Sequence, residues 1–106
     1  MFGDNQQRRG KGGAAALRDE PNTYGFVTKK APCNEPRCFY TPRDYRPVFD
    51  AELSRLAAVI DMNPDLTFLI SRLGAGLANR YKIFETIIEP ELRRVLSNRP
   101  NVRFLW

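Results

Sequence analysis

"LTFLISRLGAGL", residues 66–77, decides how this chain is read. Leu66 to Ser71 form a nearly continuous apolar run, bounded upstream by Asn63-Pro64-Asp65. Such a run is what a strand buried on both faces looks like, and strands of that kind belong to parallel sheets covered by helices. Gly74, Ala75 and Gly76 follow at once. The apolar stripe Ile83, Phe84, Ile87, Ile88, Leu92, Val95 and Leu96 then recurs at helical spacing. The unit therefore reads strand, glycine loop, helix, with Pro90 placed to kink or split the helix.

Outward from this unit the same alternation continues. Phe49, Leu53, Leu56 and Ile60 make one helical face, with Pro47 suited to its first turn. Residues 29–47 hold four prolines and no apolar period, which predicts a long ordered loop. Within it Phe39, Tyr40 and Arg43 are candidates to stack on a base, or else to pack the loop onto its own domain. Tyr24 to Thr28 is a β-branched and aromatic strand. Gly13 to Arg18 is a short helix of strong propensity, and Met1-Phe2 is the stub of a first strand. Val102 to Trp106 is a last strand after the turn Asn98 to Asn101. The order predicts one α/β domain over residues 1–106, in three layers, with a mixed or mostly parallel sheet and helices on both faces.

Composition narrows the function. The chain of 106 residues carries 17 basic and 12 acidic side chains, a net charge of +5 that favours phosphate-bearing partners. The cations are spread along the chain rather than gathered in a tail, which favours a nucleotide over nucleic acid. No run approaches the roughly 18 apolar residues of a membrane span. The opening MFGDNQQRRG has no apolar signal region, so a cytoplasmic protein is expected. The absence of histidine removes Ser-His-Asp and Cys-His catalysis. Cys33 and Cys38 alone cannot complete a tetrahedral zinc site, and no metal or cofactor is expected. In a reducing compartment the two read as free loop thiols, with a loop disulfide as the alternative.

Ligands of open α/β sheets bind beyond the carboxyl ends of the strands, where two glycine loops fall. The first runs from Asp4 and Asn5 through Arg8, Gly10, Lys11, Gly12 and Gly13. The second comprises Ser71, Arg72, Gly74, Ala75 and Gly76. Glycine lets backbone N–H groups approach a phosphate closely, and a helix start adds partial positive charge. Asp4 and Asn5 suit ribose hydroxyls or a base edge. Thr28 and Lys29, with Lys30, end another strand on the same edge and suit a second phosphate. Each residue also has an ordinary role as a steric turn, a cap or a solvated charge.

Two stretches add a resemblance. FGDNQQRRGKGGAAALRDEPNTYGFVTKKAP, residues 2–32, resembles the opening of a family of small phage proteins with the pattern "FGDN…G-x-GG-x-A…R-x-EPN…G-(I/F)-x-TK". LTFLISRLGAGLANRYKIFETIIEPEL, residues 66–92, resembles the "TRIGxGLAG…IAPLF" segment of related phage and bacterial proteins. Both look like shortened macro domains, although the macro signature NAAN is absent and Asp4-Asn5 stands nearest to it. The resemblance implies a macro-domain or Rossmann-like fold that binds a nucleotide of the ADP-ribose class, or a cyclic nucleotide. In a phage it implies a counter-defence sponge that sequesters a host signalling nucleotide in the host cytoplasm. With few short strands and an apolar edge, a homodimer or higher oligomer is expected. No catalytic residue is assigned. One alternative is an ADP-ribosyl hydrolase drawing on Asp4, Lys11 and Lys29. The other is a small nucleic-acid-binding protein using the RRGK and TKK stretches.

Overall fold

The computed structural model of the chain describes residues 1–5, 24–76 and 78–106, with the backbone alone for Phe2, Asp4 and Asn5. The helix expected over Gly13 to Arg18 lies outside these residues. The described elements are β1 (Phe2–Asn5), β2 (Gly25–Lys29), α1 (Pro42–Met62), β3 (Phe68–Ile70), α2 (Glu89–Leu96) and β4 (Val102–Phe104). A 3₁₀ turn covers Pro36–Cys38, and a π-helical turn, Phe84–Ile88, leads into α2.

The strands make two separate parallel pairs, β1 with β2 and β3 with β4, rather than one sheet. This corrects the expected three-layer, macro-domain or Rossmann-like architecture. The described residues supply two α-helices and four short strands, too few to cover both faces of a broad sheet. Leu69 on β3 is 49% exposed and Leu105 just after β4 is 60% exposed, so no described helix covers that face. The run read as a doubly buried strand from Leu66 to Ser71 is thus a three-residue strand with one open face. Its apolar residues answer to different surroundings: Ile70 is fully buried, whereas Leu66 lies in the exposed approach. The two pairs are joined at the head of β1, where the Met1 amino group donates to the Leu69 carbonyl at 3.1 Å. The Ser71 hydroxyl donates in turn to the Met1 carbonyl at 3.1 Å.

Helix α1 begins five residues before Pro47, because Thr41 and Pro42 form its start. The Thr41 hydroxyl accepts the Asp44 N–H at 3.3 Å, satisfying one free donor of the first turn, and Pro42 occupies a position that needs no N–H. Pro47 lies inside the helix and leaves the Arg43 carbonyl without its usual partner. Both residues are exposed, so water can serve that carbonyl. The expected stripe Phe49, Leu53, Leu56 and Ile60 is buried, extended by Tyr45 and by the polar Glu52. Phe49 sits between Phe26 of β2 and Tyr45, with ring centroids 5.8 Å from each.

Pro90 splits the last helical segment as expected, by way of a wider turn. The Glu89 N–H bonds back five residues to the Phe84 carbonyl, and the ladder resumes beyond the proline, which has no N–H to offer. The extra residue brings Phe84, Ile87 and Ile88 together into the core, with Leu92 and Leu96 continuing the face on α2. No helix among the described residues is long and apolar enough to cross a membrane.

Candidate functional site

Thr28 is the meeting point of three segments. It is buried near the end of β2. A Cβ placed on Gly3 of β1 would lie 3.0 Å from the Thr28 hydroxyl and 3.8 Å from the Gly74 nitrogen. A Cβ on Gly74 would lie 3.4 Å from the Thr28 methyl. Gly3 of β1, Thr28 near the end of β2 and Gly74 in the turn after β3 therefore meet, while Ser71 lies at the amino head of β1, hydrogen-bonded to Met1.

The second glycine loop divides into a packed part and an open part. Gly74 has φ of +77°, and its missing side chain makes room for Ile88, whose Cδ1 would stand 2.6 Å from a Cβ there. Gly74 is thus explained by backbone conformation and packing. Around the Cβ direction of Gly76 there is open space to 4 Å. Between them the turn is closed by the Ala75 N–H donating to the Arg72 carbonyl at 3.1 Å. The loop does not open the following helix directly. Asn79 caps that segment instead, its Oδ1 accepting the Phe84 N–H at 2.9 Å and its Nδ2 donating to Glu85. The expected contribution of a helix start to this loop is therefore replaced by an asparagine cap.

Of the first glycine loop, Asp4 and Asn5 close β1, in register with Val27 and Lys29 across an irregularity between them. Arg8, Gly10, Lys11, Gly12 and Gly13 lie outside the described residues.

Among the described residues, Lys29, Arg72 and Arg80 supply the charges of the edge. The Lys29 ammonium lies 4.9 Å from the centroid of Phe39, and the Arg80 guanidinium carbon lies 5.9 Å from the same centroid. Phe39 is only 6% exposed, so two cations converge on one buried ring. Burial holds the Lys29 pKa below the ordinary lysine value. Arg72 sits over the ring of Phe84 at 5.2 Å, and Phe84 belongs to the π-helical turn. Ion pairs among the described residues engage Lys30, Arg37, Arg46, Arg55, Arg94 and Arg99. Lys29, Arg72 and Arg80 take part in none of them, so no described carboxylate neutralises the cations of this edge.

Of the two roles open to Phe39 and Tyr40, stacking on a base or packing the loop onto its own domain, the structure shows the packing, for both are buried. Tyr40 packs on Tyr45 with centroids 5.1 Å apart. Cys33 and Cys38 are joined in a disulfide, correcting the free-thiol expectation. The loop they close is docked on β2: the Lys30 N–H donates to the Cys38 carbonyl at 2.9 Å, and Lys29 and Phe39 form an antiparallel bridge. The involvement of Arg80 had no local signal. Arg80 is one basic residue in a polar stretch, and only the folded chain brings it to a ring forty-one positions away. No group of three or more metal-ligating side chains occurs among the described residues.

Residues 1–80 match the model of a family described as a "Family of unknown function (DUF7831)". That span takes in β1, β2, α1, β3, both glycine loops and Arg80. No curated protein and no solved structure matches the chain.

Proposed function

We propose, for a chain that belongs to this family of unknown function, that the edge formed by Thr28, Lys29, Arg72, Gly76 and Arg80 binds the phosphate of a nucleotide. The observation that carries the reading is the convergence of Lys29 and Arg80 on Phe39, unneutralised by any described carboxylate. The ring attracts each cation but does not neutralise it, so a phosphate is the complementary ligand. Beside them, through the adjoining Thr28, the glycine turn leaves backbone open at Gly76. The groups of this edge are cations, amides and hydroxyls, a set that holds an anion and asks for no chemistry on it.

ADP-ribose-class and cyclic nucleotides are the ligands to try first. The resemblance to small phage proteins supports a sponge that sequesters a signalling nucleotide, a role that requires affinity alone. Thermal and calorimetric titration with ADP, ADP-ribose, a cyclic dinucleotide and single-stranded DNA tests the proposal. A nucleotide at a hundred times its dissociation constant adds about 2.7 kcal/mol to stability. Binding to a closed edge survives added salt, whereas binding of DNA along scattered cations weakens steeply with it. Stabilisation by DNA alone, lost in salt, would replace the nucleotide reading with the nucleic-acid one.

A further inference from the structure

The disulfide lies one residue from the ring on which the two cations meet. Phe39 directly follows Cys38, which is buried, and its N–H donates to the Pro36 carbonyl inside the closed loop at 3.2 Å. Cys38 is held from both sides, by its N–H to the Glu35 carbonyl at 2.9 Å and by its carbonyl to the Lys30 N–H at 2.9 Å. The bond between Cys33 and Cys38 spans a sequence separation of only 5, so its loss relaxes the local loop rather than the domain. What that loop places is Phe39, and what Phe39 places is Lys29 and Arg80.

We propose that the Cys33–Cys38 disulfide sets the phosphate affinity of this edge, the oxidised form binding tightly and the reduced form weakly. The inference rests on the nucleotide-binding reading above and adds redox regulation to it. The two sulfurs differ in access. Cys33 is half-buried in a loop whose Pro32, Asn34, Glu35, Pro36 and Arg37 are exposed, while Cys38 faces the core. A dithiol reductant attacks the Cys33 sulfur as a thiolate and forms a mixed disulfide, and Cys38 leaves as a thiolate that takes up a proton. The second thiol of the reductant then displaces Cys33, which is protonated in turn. Two electrons and two protons pass to the cysteines, and the reductant departs as its own disulfide.

The test titrates ADP and inorganic pyrophosphate against the oxidised chain, the chain in dithiothreitol, and the Cys33→Ser, Cys38→Ser double variant. Amide exchange at Lys30 and Phe39 is followed in each. Reduction weakens both probes by about tenfold, the size of one displaced charged contact, and accelerates exchange at Lys30. The double variant binds like the reduced chain and ignores dithiothreitol. Equal affinity in the oxidised and reduced forms overturns the regulation and leaves the phosphate site standing. Failure of both forms to bind overturns the site and the regulation together, whatever the exchange shows.

Discussion

The hydroxyl of Tyr45 donates to the carbonyl oxygen of Val27 across 2.5 Å, from α1 to the middle of β2. Two turns further along α1, Glu52 accepts the Val27 N–H at 3.3 Å and is paired with Arg55 at 2.7 Å. Both backbone groups of Val27 are thus satisfied by helix side chains, where another strand would otherwise bond. An open strand edge invites pairing with a second chain, and here side chains close it. The strand-edge argument for oligomerisation accordingly does not apply at Val27.

Tyr45→Phe keeps the ring packing and removes the donor, leaving a buried carbonyl unpaired. Loss of about 1–3 kcal/mol of stability is expected in urea titration. An unchanged midpoint would show that water replaces the hydroxyl.

The tyrosines also set an alkaline limit. Burial first, and the nearby Glu52 carboxylate second, raise the pKa of Tyr40 and Tyr45 above the ordinary 10.0. The folded chain holds protons that the unfolded chain releases, so this stability is fully present below pH 10.0 and is lost as pH rises beyond it. Urea midpoints compared at about pH 9 and about pH 11 should fall at the higher value, and fall less in Tyr45→Phe.

The two glycines of the second loop should separate cleanly. Gly74→Ala forces a side chain at φ of +77° against the buried Ile88, and a cost of about 1–3 kcal/mol is expected in thermal unfolding. Gly76→Ala enters open space and should stay within about 0.5 kcal/mol of the parent. Gly76→Val should fold normally and lose ADP binding. A Gly76→Val chain that binds ADP as the parent does would move the phosphate away from this turn.

Lys29→Ala and Arg80→Ala should each weaken ADP by about tenfold or more, as expected for one charged contact. In calorimetry their effects should be coupled, because both cations rest on Phe39. Affinity should also fall with rising pH before the ordinary lysine value of 10.5 is reached, since burial discharges Lys29 early. Independence of pH up to that value would remove Lys29 from the contact.

What could be read in advance follows from the range of the forces involved. The stripe from Phe49 to Ile60 was legible because a helix records its buried face in its own spacing. The start of α1 was missed because Pro47 drew the boundary, although Thr41-Pro42 carried the cap. The sheet was overdrawn from Leu66 to Ser71, since apolar residues alone do not say that Leu69 faces solvent. Thr28 and Gly74 were named as strand-end residues, and the fold places them against each other and Gly3. Arg80 was not legible, and Phe39 and the disulfide were readable only as one option among others, because their placement depends on how the proline-rich loop folds back on β2.

The π-helical turn at Phe84–Ile88 contains one residue more than a regular ladder would need. Deleting the exposed Thr86 would let the ladder close regularly and turn everything before it by about 100° around the helix axis. Phe84 would then swing out from beneath Arg72, and Ile88 would no longer fill the notch at Gly74. A single lost codon at this turn would therefore dismantle the glycine loop while leaving every residue of that loop in place. The length of this segment, as much as its composition, is part of what specifies the edge.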